Sequence, residues 1–165
     1  MAFFRQFSAA ALLVMLTISL QSAGMAALIR WARTYFARAF REPGWVGSAG
    51  LLVRFTSVIF GLQIFQILMW AGFYRWRCFP SWEQAFYFST ASYSTVGYGD
   101  LVLPRMWRAL GPVESVTGVL MCGLSVSLLF AIVTFLVRRA GLFALKGSNP
   151  VAQRAPVLVR SITSV

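Results

Sequence analysis

Three long runs of apolar residues divide the chain. The first extends from Ser8 to Ile29 and is broken only by soft polar residues such as Thr17, Gln21 and Ser22. The second extends from Gly50 to Tyr74, with Arg54 near its start, and the third from Leu110 to Val137. About 20 mostly apolar residues suffice to cross a bilayer as a helix, so the pattern predicts three spans. The first run is long for the core of a signal peptide, and Met1 to Phe7 carries a single Arg, so it reads as an uncleaved span. The segment between the second and third runs, 75–109, is too short and too apolar for a separate soluble domain. After Gly141, the residues Gly147, Ser148, Asn149, Pro150 and Pro156 predict a loosely ordered tail. The divisions are therefore a span at 1–29, a basic interfacial segment at 30–49, a central unit at 50–140 and a short tail at 141–165.

Inside the central unit, the stretch Pro80 to Asp100 reads PSWEQAFYFSTASYSTVGYGD. Ser81 is suited to cap a helix, and Gln84 completes a capping box three residues later. Glu83 falls in the first turn, where a carboxylate favours the helix dipole. A helix over 82–93 follows. It is too short to span and too apolar to sit in water. It therefore suits a helix that dips into the membrane and is shielded by surrounding protein. Its C-terminal partial negative charge favours a cation there. Next comes Thr95-Val96-Gly97-Tyr98-Gly99-Asp100. Glycines at alternate positions open backbone conformations closed to other residues. Successive carbonyls then turn to one side, and four such strands about an axis stack rings of oxygens that replace the water shell of a cation. The Thr95 hydroxyl adds one more ring. The expected fold class is an all-α membrane protein with three transmembrane helices (spans 50–74 and 110–137 enclosing the pore loop), a short re-entrant helix and a filter loop at 95–100, assembling as a tetrameric pore.

Composition sharpens this. The 165 residues are 59% hydrophobic and 12% charged, about half the charge usual in soluble domains, which argues for a membrane. Lys and Arg number 15 against 4 Asp and Glu, a net charge of +11. Such an excess fits nucleic acid, an anionic lipid surface or cytoplasmic loops. The basic residues flank spans and alternate with apolar turns, which disfavours nucleic acid. Arg30, Arg33, Arg38, Arg41 and Arg54 surround the first connection, and Arg138, Arg139, Lys146, Arg154 and Arg160 follow the third span. Cytoplasmic loops carry the basic excess. This puts the first connection and the C-terminus in the cytoplasm and the N-terminus outside, with Arg75, Arg77, Arg105 and Arg108 running against the bias. The arginines of 28–41 alternate with aromatic residues. This suits an interfacial amphipathic helix better than a voltage sensor, which needs countercharges that one preceding span does not supply. The absence of His removes histidine bases and histidine metal sites, and with 4 acids and 2 Cys most hydrolytic and metal chemistry lacks parts; the chain is expected not to be an enzyme and to need no cofactor. Cys78 and Cys122 give no disulfide framework. Cys78, in the outer loop, is open to bridging two subunits or to standing free, and Cys122 reads as a packing residue. Gln63 and Gln66, three apart on one face of the second span, read as interhelical glue.

With TVGYGD between two apolar spans, the stretch 50–137 resembles the potassium channel pore family. TVGYG is the established signature of potassium filters, so the expectation of selectivity rests on that match alone. Gly111-Pro112-Val113-Glu114 and Met121-Cys122-Gly123-Leu124-Ser125 strengthen a resemblance to small bacterial channels with one extra helix before a two-helix pore. The resemblance implies that the carbonyls of Thr95, Val96, Gly97 and Tyr98, with the Thr95 hydroxyl, bind potassium, and that Gly97 and Gly99 permit this backbone. It implies that Tyr98 packs on Tyr87 and Phe88 as an aromatic cuff, and that Asp100 lies behind the filter mouth. Gly118 and Gly123 fall where related channels bend, although close packing through small residues explains them equally. Many relatives carry a Glu four residues before the filter threonine; here Ala91 stands there. Glu114 is expected either to replace it as a proton-sensitive filter support or to pair with Arg105 or Arg108.

One chain supplies one filter strand, so the expected assembly is a homotetramer in the inner cell membrane. It is expected to pass potassium passively and to take no nucleic acid and no small-molecule substrate. A weakly selective cation channel and a non-conducting membrane interaction subunit are the competing readings. The tail is too short for a folded ligand-binding domain.

Overall fold

The computed structural model describes residues 2–38 and 45–147. The described elements are all helical: α1 (Ala2–Arg38), α2 (Trp45–Arg77), α3 (Trp82–Tyr93), a single 3-10 turn (Arg105–Trp107) and α4 (Leu110–Gly147). Segments Phe4–Tyr35, Gly47–Arg77 and Arg105–Arg138 are long and apolar enough to cross a membrane. The chain is a multi-pass membrane protein. The described residues divide into two compact units, the first ending at Leu129 and the second beginning at Phe130. The first holds the elements that matter below.

Each long helix buries one stripe at the three-to-four spacing of an amphipathic helix. On α1 the stripe is Ala10, Leu13, Thr17, Gln21 and Leu28; on α2 it runs through Leu51, Phe55, Ile59, Gln66, Trp70 and Tyr74. On the first part of α4 it is Leu110, Glu114, Thr117, Met121 and Ser125. The opposite faces leave large apolar residues such as Phe60, Phe65, Val116 and Leu120 exposed, as suits a helix that meets lipid. Ala10 and Leu13 of α1 share a cluster with Trp70, Tyr74, Leu103 and Trp107. The beginning of α1 therefore lies on the same side as the 3-10 turn. There the Gln6 amide, oxygen facing the backbone, accepts from the N–H groups of Arg108 and Ala109 at 3.1 and 2.7 Å and caps the approach to α4. Further along α1, the Arg54 guanidinium of α2 lies 4.6 Å from the Trp31 ring, and Trp31 meets Phe55 edge-on. Near the far end of α2 the Arg77 guanidinium lies 3.8 Å from the Trp76 ring, which is largely exposed.

Two boundaries differ from the sequence reading. The first span does not stop at residue 29. It continues as one helix to Arg38, because the arginines of that stretch are good helix formers and no Gly or Pro interrupts them. The tail expected to loosen after Gly141 stays helical to Gly147. The tail from 148 onward and residues 39–44 of the basic segment lie outside the described residues.

Candidate functional site: the short helix and the glycine loop

Helix α3 begins where Ser81, in an extended conformation, accepts from the Gln84 N–H at 3.3 Å. Glu83 occupies the first turn. At its other end the chain does not leave freely. Ser94 N–H donates to Thr90 O, Thr95 N–H to Ser92 O and Gly97 N–H to Ala91 O, each at 3.0 Å. The last carbonyls of α3, unpaired in an isolated helix, are thereby used to tie the loop back onto the helix.

The loop has an unusual backbone. Thr95, Gly97 and Gly99 have φ of 63°, 53° and 79°, and Val96 and Tyr98 do not share the positive sign. The sign of φ alternates over five residues. Glycine takes such angles without strain. A β-branched residue does not, and a threonine in that region costs on the order of 1–3 kcal/mol. The glycines were legible in the sequence; a strained threonine in the same register was not.

The ring of Tyr98 stacks on that of Tyr87, centroids 6.4 Å apart and planes at 15°. Phe88, one residue on and turned by about 100° round the helix, faces inward. It meets Tyr74 edge-on at 5.1 Å and Phe79 at 5.5 Å, and it crowds Gly111, where a Cβ would lie 3.3 Å from its ring. Within one chain the cuff is Tyr87 on Tyr98, without Phe88. Asp100 accepts from the Leu101 N–H at 3.0 Å. Its hydrogen bond with Tyr87 holds that hydroxyl above the usual tyrosine range. Val96 and Tyr98 remain exposed.

Behind α3 the expected alternatives for Glu114 separate. The side chain is fully buried. It accepts from the Tyr74 hydroxyl at 2.7 Å and from the Ser89 hydroxyl of α3 at 2.6 Å. It makes no ion pair with Arg105 or Arg108, which stay exposed ahead of the helix while Glu114 lies on its buried stripe. At the next residue, the Ser115 hydroxyl donates toward Ser92 O at 2.7 Å. At Gly118 the backbone of α3 comes so close that a Cβ would collide with the Tyr93 carbonyl oxygen. Gly123 has open space around it. Of the two glycines, Gly118 therefore has a packing reason in this chain.

Sequence reasoning did not find Ser89, Tyr74 or Tyr93 as supports. Hydroxyls on an apolar helix read as neutral until their partners are known. The only local signal is that Ser89 and Tyr93 lie four apart, on one face.

A model of the ion channel family matches residues 53–135, from α2 through α3 and the loop into α4. The chain belongs to this ion channel family. Comparisons with curated proteins and with solved structures found no match.

Proposed function

We propose that the chain is the subunit of a potassium-selective homotetrameric channel in the cell membrane, N-terminus outside and C-terminus cytoplasmic. The observation that carries this reading is the alternating sign of φ from Thr95 to Gly99. A ribbon of alternating left- and right-handed residues turns its N–H groups to one side and its carbonyls to the other. Four ribbons facing an axis line it with the carbonyls of Thr95, Val96, Gly97 and Tyr98, the ligand type that replaces water around potassium. Two further facts support it. The loop starts at the C-terminal end of α3, whose dipole favours a cation. Val96 and Tyr98 are exposed in one chain, as a strand that needs copies of itself would be. Permeation is passive, potassium is the permeant ion and not a cofactor, and no chemical step is involved.

The test is potassium flux from liposomes holding the purified protein, with its block by barium and its reversal potential in mixed potassium and sodium. Barium-sensitive flux with strong preference for potassium is expected. A reversal potential indifferent to the exchange would make the pore a weakly selective cation channel, and absence of flux would leave a non-conducting membrane subunit.

A further inference from the structure

Five buried or half-buried side chains from all four helices close a ring of hydrogen bonds beside the filter. Ser125 of α4 donates to Met121 O at 2.9 Å, so its oxygen is free to accept. It accepts from Gln21 Nε2 of α1 at 2.9 Å. Gln21 therefore presents its oxygen to Gln66 Nε2 of α2, 2.7 Å away. Gln66 in turn presents its oxygen to the Tyr93 hydroxyl of α3 at 2.6 Å. That hydroxyl also lies 2.5 Å from Gln63 Oε1, and Gln63 Nε2 returns to Ser125 at 3.0 Å. The Tyr93 hydroxyl carries a single proton, which the oxygens of Gln66 and Gln63 share between them. Gln21 is 1% exposed and Gln66 is wholly buried. Neither amide has water as a substitute partner, and an unpaired polar group at membrane depth costs several kcal/mol.

Tyr93 ends α3, two residues before Thr95. Its backbone is pressed on Gly118 and its hydroxyl is held by the ring. We propose that Gln21 makes α1 part of the permeation machinery: it is a positioning residue for the filter, acting through Gln66 on Tyr93. This rests on the filter reading above. Without Gln21, Gln66 Nε2 loses its acceptor and the amide is free to invert, which removes the oxygen that faces Tyr93. The end of α3 then keeps its van der Waals contacts and the Gln63 oxygen, but Tyr93 is no longer held between two amide oxygens.

The experiment uses the full chain, reconstituted in liposomes, as wild type, Gln21→Leu, Tyr93→Phe and the double variant. Leucine keeps the apolar bulk of Gln21, and phenylalanine removes one oxygen. The readouts are the potassium-to-sodium permeability ratio and, separately, tetramer yield and melting temperature. Each single variant is expected to lower the ratio roughly tenfold, the scale of one lost buried hydrogen bond. The double variant is expected to do no more than either single, since both cut one ring. Wild-type selectivity in assembled Gln21→Leu would overturn the proposal, and so would a change in yield or melting alone. Effects that multiply in the double variant would overturn it too, because Gln21 would then act by another route. Should Gln21→Leu not assemble, unaltered selectivity in Tyr93→Phe decides against it. An unselective wild type removes the filter reading and this proposal together, whereas a selective wild type with unaltered variants removes only this proposal.

Discussion

Glu114 is an acid placed where an acid has no water. Its two oxygens are met by the hydroxyls of Tyr74 and Ser89, so α2 and α3 are joined through one residue of α4. Removing it leaves the buried Tyr74 hydroxyl without an acceptor, leaves Ser89 only Ile67 O, and opens a cavity between three helices. Glu114→Ala is therefore expected to destabilise the assembled protein by roughly 2–5 kcal/mol. Glu114→Gln, which keeps the volume and one acceptor, should cost less than half as much; melting of the purified protein in detergent measures both. Cys78 gives a second residue-scale prediction. It is half-buried against the cluster of Trp70, Tyr74 and Trp107, and burial pushes its thiol up to about 11 from an ordinary 9.0. Only the thiolate reacts. At pH 8 it should be alkylated roughly a hundredfold more slowly than an ordinary thiol, the difference closing as pH rises toward 11. Maleimide labelling in a Cys122→Ser background reads this directly, and fast labelling at neutral pH would contradict the buried placement.

At the scale of elements, α3 is gripped from several sides and does not stand alone. Ser115 and Gly118 of α4 meet its last turn, and Ile67 O of α2 lies 2.9 Å from the Ser89 hydroxyl, a second acceptor beside Glu114. Gly118→Ala must push the Tyr93 carbonyl away, so loss of selective flux is expected, with assembly weakened. Gly123→Ala meets nothing within 4 Å and should be tolerated within about 1 kcal/mol. Equal loss of flux in both variants would favour bending over packing at these positions. The existence and limits of α3 were legible because their causes are local: Ser81 caps, Glu83 meets the dipole, and the apolar run ends at a polar turn. The three spans were legible for the same reason. The ring round Tyr93 was legible only in fragments. Gln63 and Gln66 declared themselves as glue by sharing a face, and the structure supplies their partners. Gln21 looked like a soft interruption, although its spacing from Thr17 puts both on the stripe of Leu13. Which helix that stripe meets is a property of the packed chain. No local pattern carries it.

At the scale of the molecule, α1 is wedged to the pore unit at three depths. Gln6 caps the approach to α4, Thr17 accepts from the Trp70 indole N–H at 3.0 Å, and Gln21 enters the ring. Composition alone made the chain a membrane protein. It did not reveal that the extra helix touches both α2 and α4. The aromatic and arginine pairs near the ends of α2 add a last consequence. Trp31 with Arg54 marks one level and Trp76 with Arg77 the other. Side chains of this kind settle at the headgroup boundary. Residues 54 and 76 stand about 33 Å apart along a helix rising 1.5 Å per residue, close to the roughly 30 Å of a hydrocarbon core. Helix α2 thus carries its own gauge of bilayer thickness, and Gln63 and Gln66, which hold Tyr93, are mounted on that gauge. In thinner bilayers α2 must tilt to keep both anchors at the surface. Potassium flux is expected to fall as acyl chains are shortened step by step in otherwise identical liposomes, and a flat response would uncouple the gauge from the filter.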